Sequence, residues 1–443
     1  MKVSKYNLYI PLQNKYVLYN MLTDAVLIID EDLKESLTGT LKGLDSTIQK
    51  SLTQYGILVP DYTDEKALLA YQYQVAKYSA DFISVLLLPT YACNLSCNYC
   101  PNPGKPVFMS KQTTDYVITF LKSLVQSTRL GVVLKLYGGE PLLHGDCCHV
   151  LCKTLSSFCQ NEKVPFMAAA MTNGTLLTHR KTELLLPYLG AIHVTLDGSK
   201  LYHDTIRYYS GGKGTYGDIM EGLSLAREKG MLISVRINIT AENLDSIEEL
   251  LRDLKTRAFD EYTRFEIHFG PIAPLEECKY FTDDASSQKS RTDTFELVPR
   301  IREIINTVQW KGKIRDIISD LRSVSKPEQC SYAKAYTFVI DPLGDFYICP
   351  AFVGNSEYCA GSVRKGVPEF TSLYYNIRTR DAMQLECQDC VYTPVCGGGC
   401  PVRAYVRNKT VDSPYCGSTK ELTGSRMLLY LKHKKPDLFR MQP

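Results

Sequence analysis

Long apolar runs are missing from this chain of 443 residues. The longest candidate, Val85-Leu86-Leu87-Leu88, is strand-sized, far below the ~18 residues a membrane-spanning helix needs. The start, MKVSKYNLYIPLQNKYVLYN, lacks the apolar core of a secretory signal. These absences predict no membrane association and a cytoplasmic protein, a setting in which structural disulfides are rare. An excess of one charge is missing too. Lys and Arg number 51 against 48 Asp and Glu, a net +3, which gives no electrostatic case for nucleic acid. The single tryptophan, Trp310, excludes nothing.

Cysteine is abundant instead, with 16 residues, and in a reducing compartment these read first as metal ligands. The apolar fraction of 44% is ordinary for a globular protein, and the length suits two or three domains. Cys93, Cys97 and Cys100 are spaced C-x3-C-x2-C. Three thiolates hold three irons of a [4Fe–4S] cluster and leave the fourth open to a ligand from outside the protein. Zinc, a disulfide set and chance spacing are the alternatives at this point. Zinc usually takes a fourth local ligand such as His, and the nearest histidine, His144, lies far downstream.

Residues 1–80 read as one unit, with strands around Tyr6–Ile10, Tyr16–Tyr19 and Ala25–Ile29, then helices around Glu31–Leu41 and Ser46–Gln54. This winged-helix-like order suits either a packing extension or a peptide-binding module whose edge strand accepts an extended ligand. Asp64–Tyr78 reads as a connecting helix. From 81 to 310 the chain alternates. Strand runs at Ser84–Pro89, Val132–Tyr137, Phe166–Met171, Ile192–Leu196, Ile233–Ile239 and Phe265–Phe269 are separated by helical runs. Six β/α units predict an α/β fold, a parallel sheet curled into a partial (β/α)6 TIM-like barrel with chemistry at the C-terminal strand ends.

Polar residues collect at those ends. Cys93 follows the first strand, Gly138-Gly139-Glu140-Pro141 the second, Thr172-Asn173 the third and Asp197 the fourth. Arg236 and Asn238, two apart in the fifth, share a face. The glycines allow close approach of a ligand to backbone, and Glu140 offers a carboxylate to a cation. Cys148, Cys152 and Cys159 share one helical face and read as buried small hydrophobes rather than ligands. Residues 311–329 read as a linker. Beyond it regular structure looks sparse and cysteines cluster at Cys330, Cys349, Cys387, Cys390, Cys396, Cys400 and Cys416, around Gly397-Gly398-Gly399. Metal–thiolate bonds would supply much of the stability here. Seven cysteines make a four-ligand and a three-ligand site, with zinc as the alternative metal.

Together, C-x3-C-x2-C with Tyr99 before its last cysteine, Gly138-Gly139-Glu140-Pro141 and the seven-cysteine string resemble the SPASM-domain branch of the radical S-adenosylmethionine superfamily, over residues 82 to about 420. The resemblance implies three [4Fe–4S] clusters. Cys93, Cys97 and Cys100 would hold the catalytic one. Cys387, Cys390, Cys396 and Cys416 would hold an outer auxiliary cluster, and Cys330, Cys349 and Cys400 an inner one, in a SPASM domain at 330–443. Family members often carry a further cysteine where this chain has Ser323-Val324-Ser325. The fourth inner ligand is therefore Cys278, Cys359, a substrate thiolate or none. S-adenosylmethionine would sit on the open iron with its ammonium at Glu140, near Tyr99, Gly138 and Gly139, and with Thr172, Asn173, Arg236 and Asn238 toward ribose and carboxylate. A 5′-deoxyadenosyl radical would then take hydrogen from the substrate.

Within the branch, peptide maturases fit better than sulfatase-maturing enzymes. The latter typically carry Asp after the cysteine of Gly-x4-Cys, where this chain has Pro350, and usually lack a module like residues 1–80. The stretch Asp197-Gly198, His203-Asp204, Arg207 and Gly212–Tyr216 also resembles the maturases. The resemblance implies as partners a precursor peptide, leader plus core, and a reductant such as flavodoxin or ferredoxin. Thioether formation from Cys is the leading expected reaction, followed by a carbon–carbon or cyclophane link and by formylglycine formation. A zinc-binding peptide scaffold is the non-enzymatic alternative. His193, His203 and His268 are candidates for a catalytic base, with structural roles the commoner fate of such residues.

Overall fold

The computed structural model describes residues 1–41, 44–100, 105–271, 285–315, 330–417 and 419–439. They form two compact units. The first comprises the described residues of Met1–Ser79, Ile318–Ala335 and Ile377–Pro443. It opens with β1 (Lys2–Val3), β2 (Asn7–Leu12), β3 (Lys15–Asn20), β4 (Val26–Ile29), α1 (Glu31–Thr38), α2 (Ser46–Gln54), β5 (Leu58–Val59) and α3 (Glu65–Tyr78). The strands β2, β3 and β4 form an antiparallel sheet in that order, and β1 pairs with β5. Each of the three helices starts on an aspartate. The side chains of Asp30, Asp45 and Asp64 accept from backbone N–H groups two or three residues on, the usual way to satisfy donors that a helix start leaves unpaired.

The middle strand β3 shows why this sheet is buried on both faces. Val17 and Tyr19 join one apolar cluster while Leu18 joins another, as strand alternation requires. The first cluster also contains Leu69 of α3 together with Met427 and Leu431 of the helix Thr419–Lys434. The cluster around Leu18 closes within residues 1–58, whereas the cluster around Val17 and Tyr19 does not close within residues 1–79. The latter is completed by the far end of the chain.

The second unit comprises the described residues of Ala80–Ile317 and Tyr336–Asn376. Here β6 (Phe82–Thr90), α4 (Lys111–Thr128), β7 (Gly131–Gly138), α5 (Gly145–Asn161), β8 (Phe166–Thr172), α6 (His179–Leu185), β9 (Ala191–Thr195), α7 (Lys200–Ile206), α8 (Tyr216–Glu228), β10 (Leu232–Ile239), α9 (Leu244–Thr256) and β11 (Phe265–Pro271) alternate as expected. The strands β6 to β11 lie side by side, all parallel, and β12 (Lys313–Arg315) extends that edge. A mostly parallel sheet with intervening helices is the partial TIM-like barrel. Cys148, Cys152 and Cys159 are fully buried in α5, as their spacing implied.

The region after 330 differs from the expectation of sparse structure. β13 (Thr337–Ile340) pairs in parallel with β6, and β14 (Asp345–Tyr347), β15 (Cys359–Ser362) and β16 (Glu369–Phe370) continue antiparallel, giving one sheet of eleven strands. An aromatic cluster binds the added strands to the barrel. Phe338 meets Phe120 of α4 edge-on at 5.1 Å, and Phe370 stacks on Tyr374 at 3.8 Å. The strands are too short to show a period, and β13 is held by a partner some 250 residues away in sequence. Among the described residues, no helix is long and apolar enough to cross a membrane.

Candidate active site

The loop carrying Cys93, Cys97 and Cys100 leaves the C-terminal end of β6 and is clasped by the segment after α7. The Ser96 N–H donates to Tyr208 O at 2.8 Å, Asn98 N–H to Ile206 O, and Ser210 N–H to Asn94 O. Strand-like pairing of this kind holds the loop by backbone alone, so it tolerates the polar sequence between the cysteines. Cys93 and Cys97 are half-buried and Cys100 is exposed. Burial raises the Cys93 thiol pKa and pushes Cys97 up to about 11, and the thiols also feel one another's charge. Arg207 opposes the rise at Cys97. Among the described residues no three His, Cys, Asp or Glu side chains are gathered so as to hold a single metal ion.

Gly138 and Gly139 have a reason internal to the chain. Gly138 has φ +128°, and a Cβ on Gly139 would lie 2.1 Å from Ala92 O and 2.5 Å from Tyr91 O. The Glu140 N–H donates to Ala92 O at 2.8 Å. Glycine is thus demanded here by close approach to the backbone just before Cys93.

Glu140 is fully buried, and its carboxylate is already bonded within the chain. Oε1 accepts from Leu142 N–H at 2.9 Å and Thr172 Oγ1 at 2.7 Å, and Oε2 accepts from Asn173 N–H at 2.7 Å. Burial raises its pKa against these bonds. These bonds tie the ends of β7 and β8 together. Asn173 in turn donates from Nδ2 to Asn94 Oδ1 at 2.9 Å and lies 3.9 Å from Cys93 Sγ. Asn173 Oδ1 accepts from the Thr175 N–H and hydroxyl.

Tyr99 reaches the opposite side. Its hydroxyl donates to Asp197 Oδ2 at 2.6 Å and accepts from Arg207 Nη1 and, at 3.2 Å, from Asn238 Nδ2. Asn238 Nδ2 also donates to Asp197 Oδ1 at 2.9 Å, and Arg236 Nε to Asn238 Oδ1 at 2.7 Å. Burial raises the Tyr99 pKa. At Arg207 burial pulls the pKa down, but Tyr99, Cys97 and Asp197 together hold it above its ordinary value. Of the four residues expected toward ribose and carboxylate, Thr172, Asn173 and Asn238 are buried, whereas Arg236 is exposed.

Sequence reasoning missed Asn243 and Asp341. Asn243 Nδ2 donates to Asp197 O and Asn238 O, joining two strand ends from the turn before α9. Asp341 accepts from the Tyr91 hydroxyl at 2.5 Å. Neither carries a local signal beyond being polar at the end of a strand.

In the first unit Cys387, Cys390, Cys396 and Cys416 sense one another's charge, and burial pushes Cys387 up to about 11. Gly397, Gly398 and Gly399 are all left-handed, with φ of +56°, +77° and +75°. A Cβ on Gly399 would meet Tyr415 O at 1.7 Å, and Tyr415 N–H donates to Gly398 O. The triple glycine therefore brings the Cys396–Cys400 loop against the backbone leading to Cys416. Cys330 likewise feels the charge of Cys400. Cys349 and Cys359 belong to the second unit, where the Cys359 thiol donates to Gly361 O at 3.2 Å. Cys278 lies outside the described residues.

A partial barrel with a three-cysteine loop at the end of its first strand defines a class. Residues 87–254 match the Radical SAM superfamily. This stretch is a radical S-adenosylmethionine domain, which marks the chain as an enzyme and implies a [4Fe–4S] cluster and S-adenosylmethionine. The donor set fits. Three thiols stand in one loop, and polar side chains from the ends of β8, β9 and β10 surround it.

Two relatives are informative. The serine-type anaerobic sulfatase-maturating enzyme of Klebsiella aerogenes is 23% identical over 74% of this chain and 80% of its own. The antilisterial bacteriocin subtilosin biosynthesis protein AlbA of Bacillus subtilis is 21% identical over 75% of this chain and 70% of its own. Among solved structures, anSMEcpe with bound AdoMet superposes with a TM-score of 0.60 at 17% identity, covering 81% of this chain and 94% of that one. Streptococcus suis SuiB bound to precursor peptide SuiA gives 0.52 at 15% identity, covering 93% and 98%. At such identities the likeness is one of fold.

Proposed function

We propose that this chain matures a ribosomally made precursor peptide, forming thioether cross-links from its cysteines. Residues 1–80 serve as the leader-recognition module, 81–310 as the radical barrel, 311–329 as a linker and 330–443 as the SPASM domain. The observation that carries the reading is the sheet β2-β3-β4. Its outer strands each have one strand neighbour among the described residues, so an extended leader can add to an edge by main-chain hydrogen bonds. SuiB, a fold neighbour over nearly the whole chain, was captured with its precursor peptide.

Cys93, Cys97 and Cys100 hold the catalytic cluster. Cys387, Cys390, Cys396 and Cys416 hold an outer auxiliary cluster, and Cys330, Cys349 and Cys400 an inner one. A flavodoxin- or ferredoxin-type protein supplies electrons. When bound, the catalytic cluster and S-adenosylmethionine supply one-electron cleavage and hydrogen abstraction from the substrate. The chain's own part is placement. Tyr99 and the 206–210 segment hold the cysteine loop, Glu140 holds the ends of β7 and β8 and takes the cofactor's ammonium, and Arg236 serves its carboxylate or ribose.

The test is anaerobic co-production with short cysteine-containing peptides, any encoded beside the gene first. The expected product has lost two hydrogens per link and the same number of iodoacetamide-reactive thiols. A product that lost hydrogens but kept every thiol alkylatable would mean a carbon–carbon link. Hydrogen exchange checks the leader reading, which requires added protection at β2 or β4 when the peptide binds. The similarity to a sulfatase-maturating enzyme favours a second reading, formylglycine formation, which predicts conversion of a sulfatase-type Ser or Cys peptide. Pro350 after Cys349 counts against it.

A further inference from the structure

Two buried cations flank Cys330. Lys77, near the end of α3, and Arg380 are each 4% exposed. With Tyr73, Cys330, Gly399 and Pro401 they line a small open pocket, and Gly399 directly precedes Cys400. Their hydrogen bonds go to carbonyls. Lys77 Nζ donates to Arg380 O. Arg380 donates to Val411 O at 2.6 Å, Gly397 O at 3.3 Å, Gly398 O at 2.8 Å and Ser413 O at 3.1 Å. Among the described residues no carboxylate closes an ion pair with either. Asp381, which is bonded to Gln74 Nε2 and the Met383 N–H, and Asp412 act on Lys77 only from a distance.

Carbonyl dipoles satisfy donors but do not cancel charge, and two desolvated positive charges side by side require an anion. Iron–sulfur clusters on thiolates are anionic, and adding an electron makes them more so. We propose that Lys77 and Arg380 are the counter-charges of the inner auxiliary cluster at Cys330 and Cys400, and that Lys77 raises its reduction potential. A buried positive charge favours the reduced, more negative form, and net charge and hydrogen bonding are the levers by which proteins tune such clusters. The inference rests on the three-cluster reading. It also gives α3, which follows the leader-recognition module, a contact with the redox apparatus.

The experiment uses the full-length chain, anaerobically reconstituted, as wild type, Lys77→Met and Lys77→Arg, each assayed for iron and titrated potentiometrically with paramagnetic resonance detection. Lys77→Met should keep about twelve irons per chain and move one couple to a more negative potential by about tenfold in its redox equilibrium, ~59 mV for one electron. Lys77→Arg should restore it. Full iron with every couple unmoved in Lys77→Met overturns the inference alone, as does an equal shift in Lys77→Arg, which would mark a packing effect. Wild-type protein holding iron for one cluster only overturns the three-cluster reading and the inference with it.

Discussion

The Tyr99 hydroxyl donates to Asp197 Oδ2 at 2.6 Å, joining the loop of the first strand to the end of the fourth. Arg207 and Asn238 converge on the same oxygen, so three buried polar groups lose a partner if it is removed. Tyr99→Phe should cost about 1–3 kcal/mol of stability and weaken S-adenosylmethionine binding about tenfold by loosening the cysteine loop. Thermal unfolding and equilibrium dialysis with the labelled cofactor check both. Unchanged binding would confine Tyr99 to a structural role.

Gly139→Ala forces a methyl group onto Ala92 O and Tyr91 O. Neither backbone atom can yield without moving the loop to Cys93. The variant should lose about four irons per chain and all S-adenosylmethionine cleavage while α4 and α5 stay folded. Iron assay and circular dichroism distinguish this from global unfolding.

His203 makes stability depend on pH. It is fully buried, accepts the Asp197 N–H at Nδ1 and meets Thr215 Oγ1 through Nε2. Burial, with the charge of Arg207, pushes its pKa down to about 3. A depressed folded-state pKa means its contribution is complete above the unfolded value, ~6.5, and is lost as pH falls toward 3. Wild-type protein should lose up to about 1.4 kcal/mol per pH unit below 6.5 from this group. His203→Asn should be less stable at pH 7.5 yet lack that part of the slope. Denaturant melts at several pH values decide it.

Cys387→Ala removes one thiol from the group that includes Cys390, Cys396 and Cys416. Iron should fall from about twelve to about eight per chain, with the couple assigned to the catalytic cluster unmoved. Zinc in place of iron in wild-type protein would reverse the metal assignment.

Leu431→Ala opens the core that β2 and β3 share with the Thr419–Lys434 helix. A loss of about 2–5 kcal/mol is expected. Hydrogen exchange should quicken in residues 7–20 as well as in the helix. Deletion of residues 1–79 should expose Met427 and Leu431 and yield aggregating protein, so leader binding is better probed by exchange than by truncation.

The alternation of β6 to β11 with α4 to α9 was legible from the sequence because hydrophobic periodicity is local, and the bounds differ by a few residues at most. The cysteine loop and the Gly138-Gly139-Glu140 motif were legible for a related reason. A loop ligand set and a strand-end turn are written within a few residues.

What those residues touch was decided by tertiary structure. Glu140 joins Leu142, Thr172 and Asn173 through its carboxylate. The glycines accommodate the chain's own backbone, and the segment at 206–210 grips the cysteine loop. The strands β13 to β16, the core shared by residues 1–79 with the C-terminal helix, and the pairing of Lys77 with Arg380 across 303 residues are long-range in the same sense. By itself the sequence determined the barrel's order and which side chains could carry chemistry, since both follow from short-range pattern. Folding alone decided which partners within the chain each of them takes, because a buried polar group takes whatever partner the packed chain brings to it.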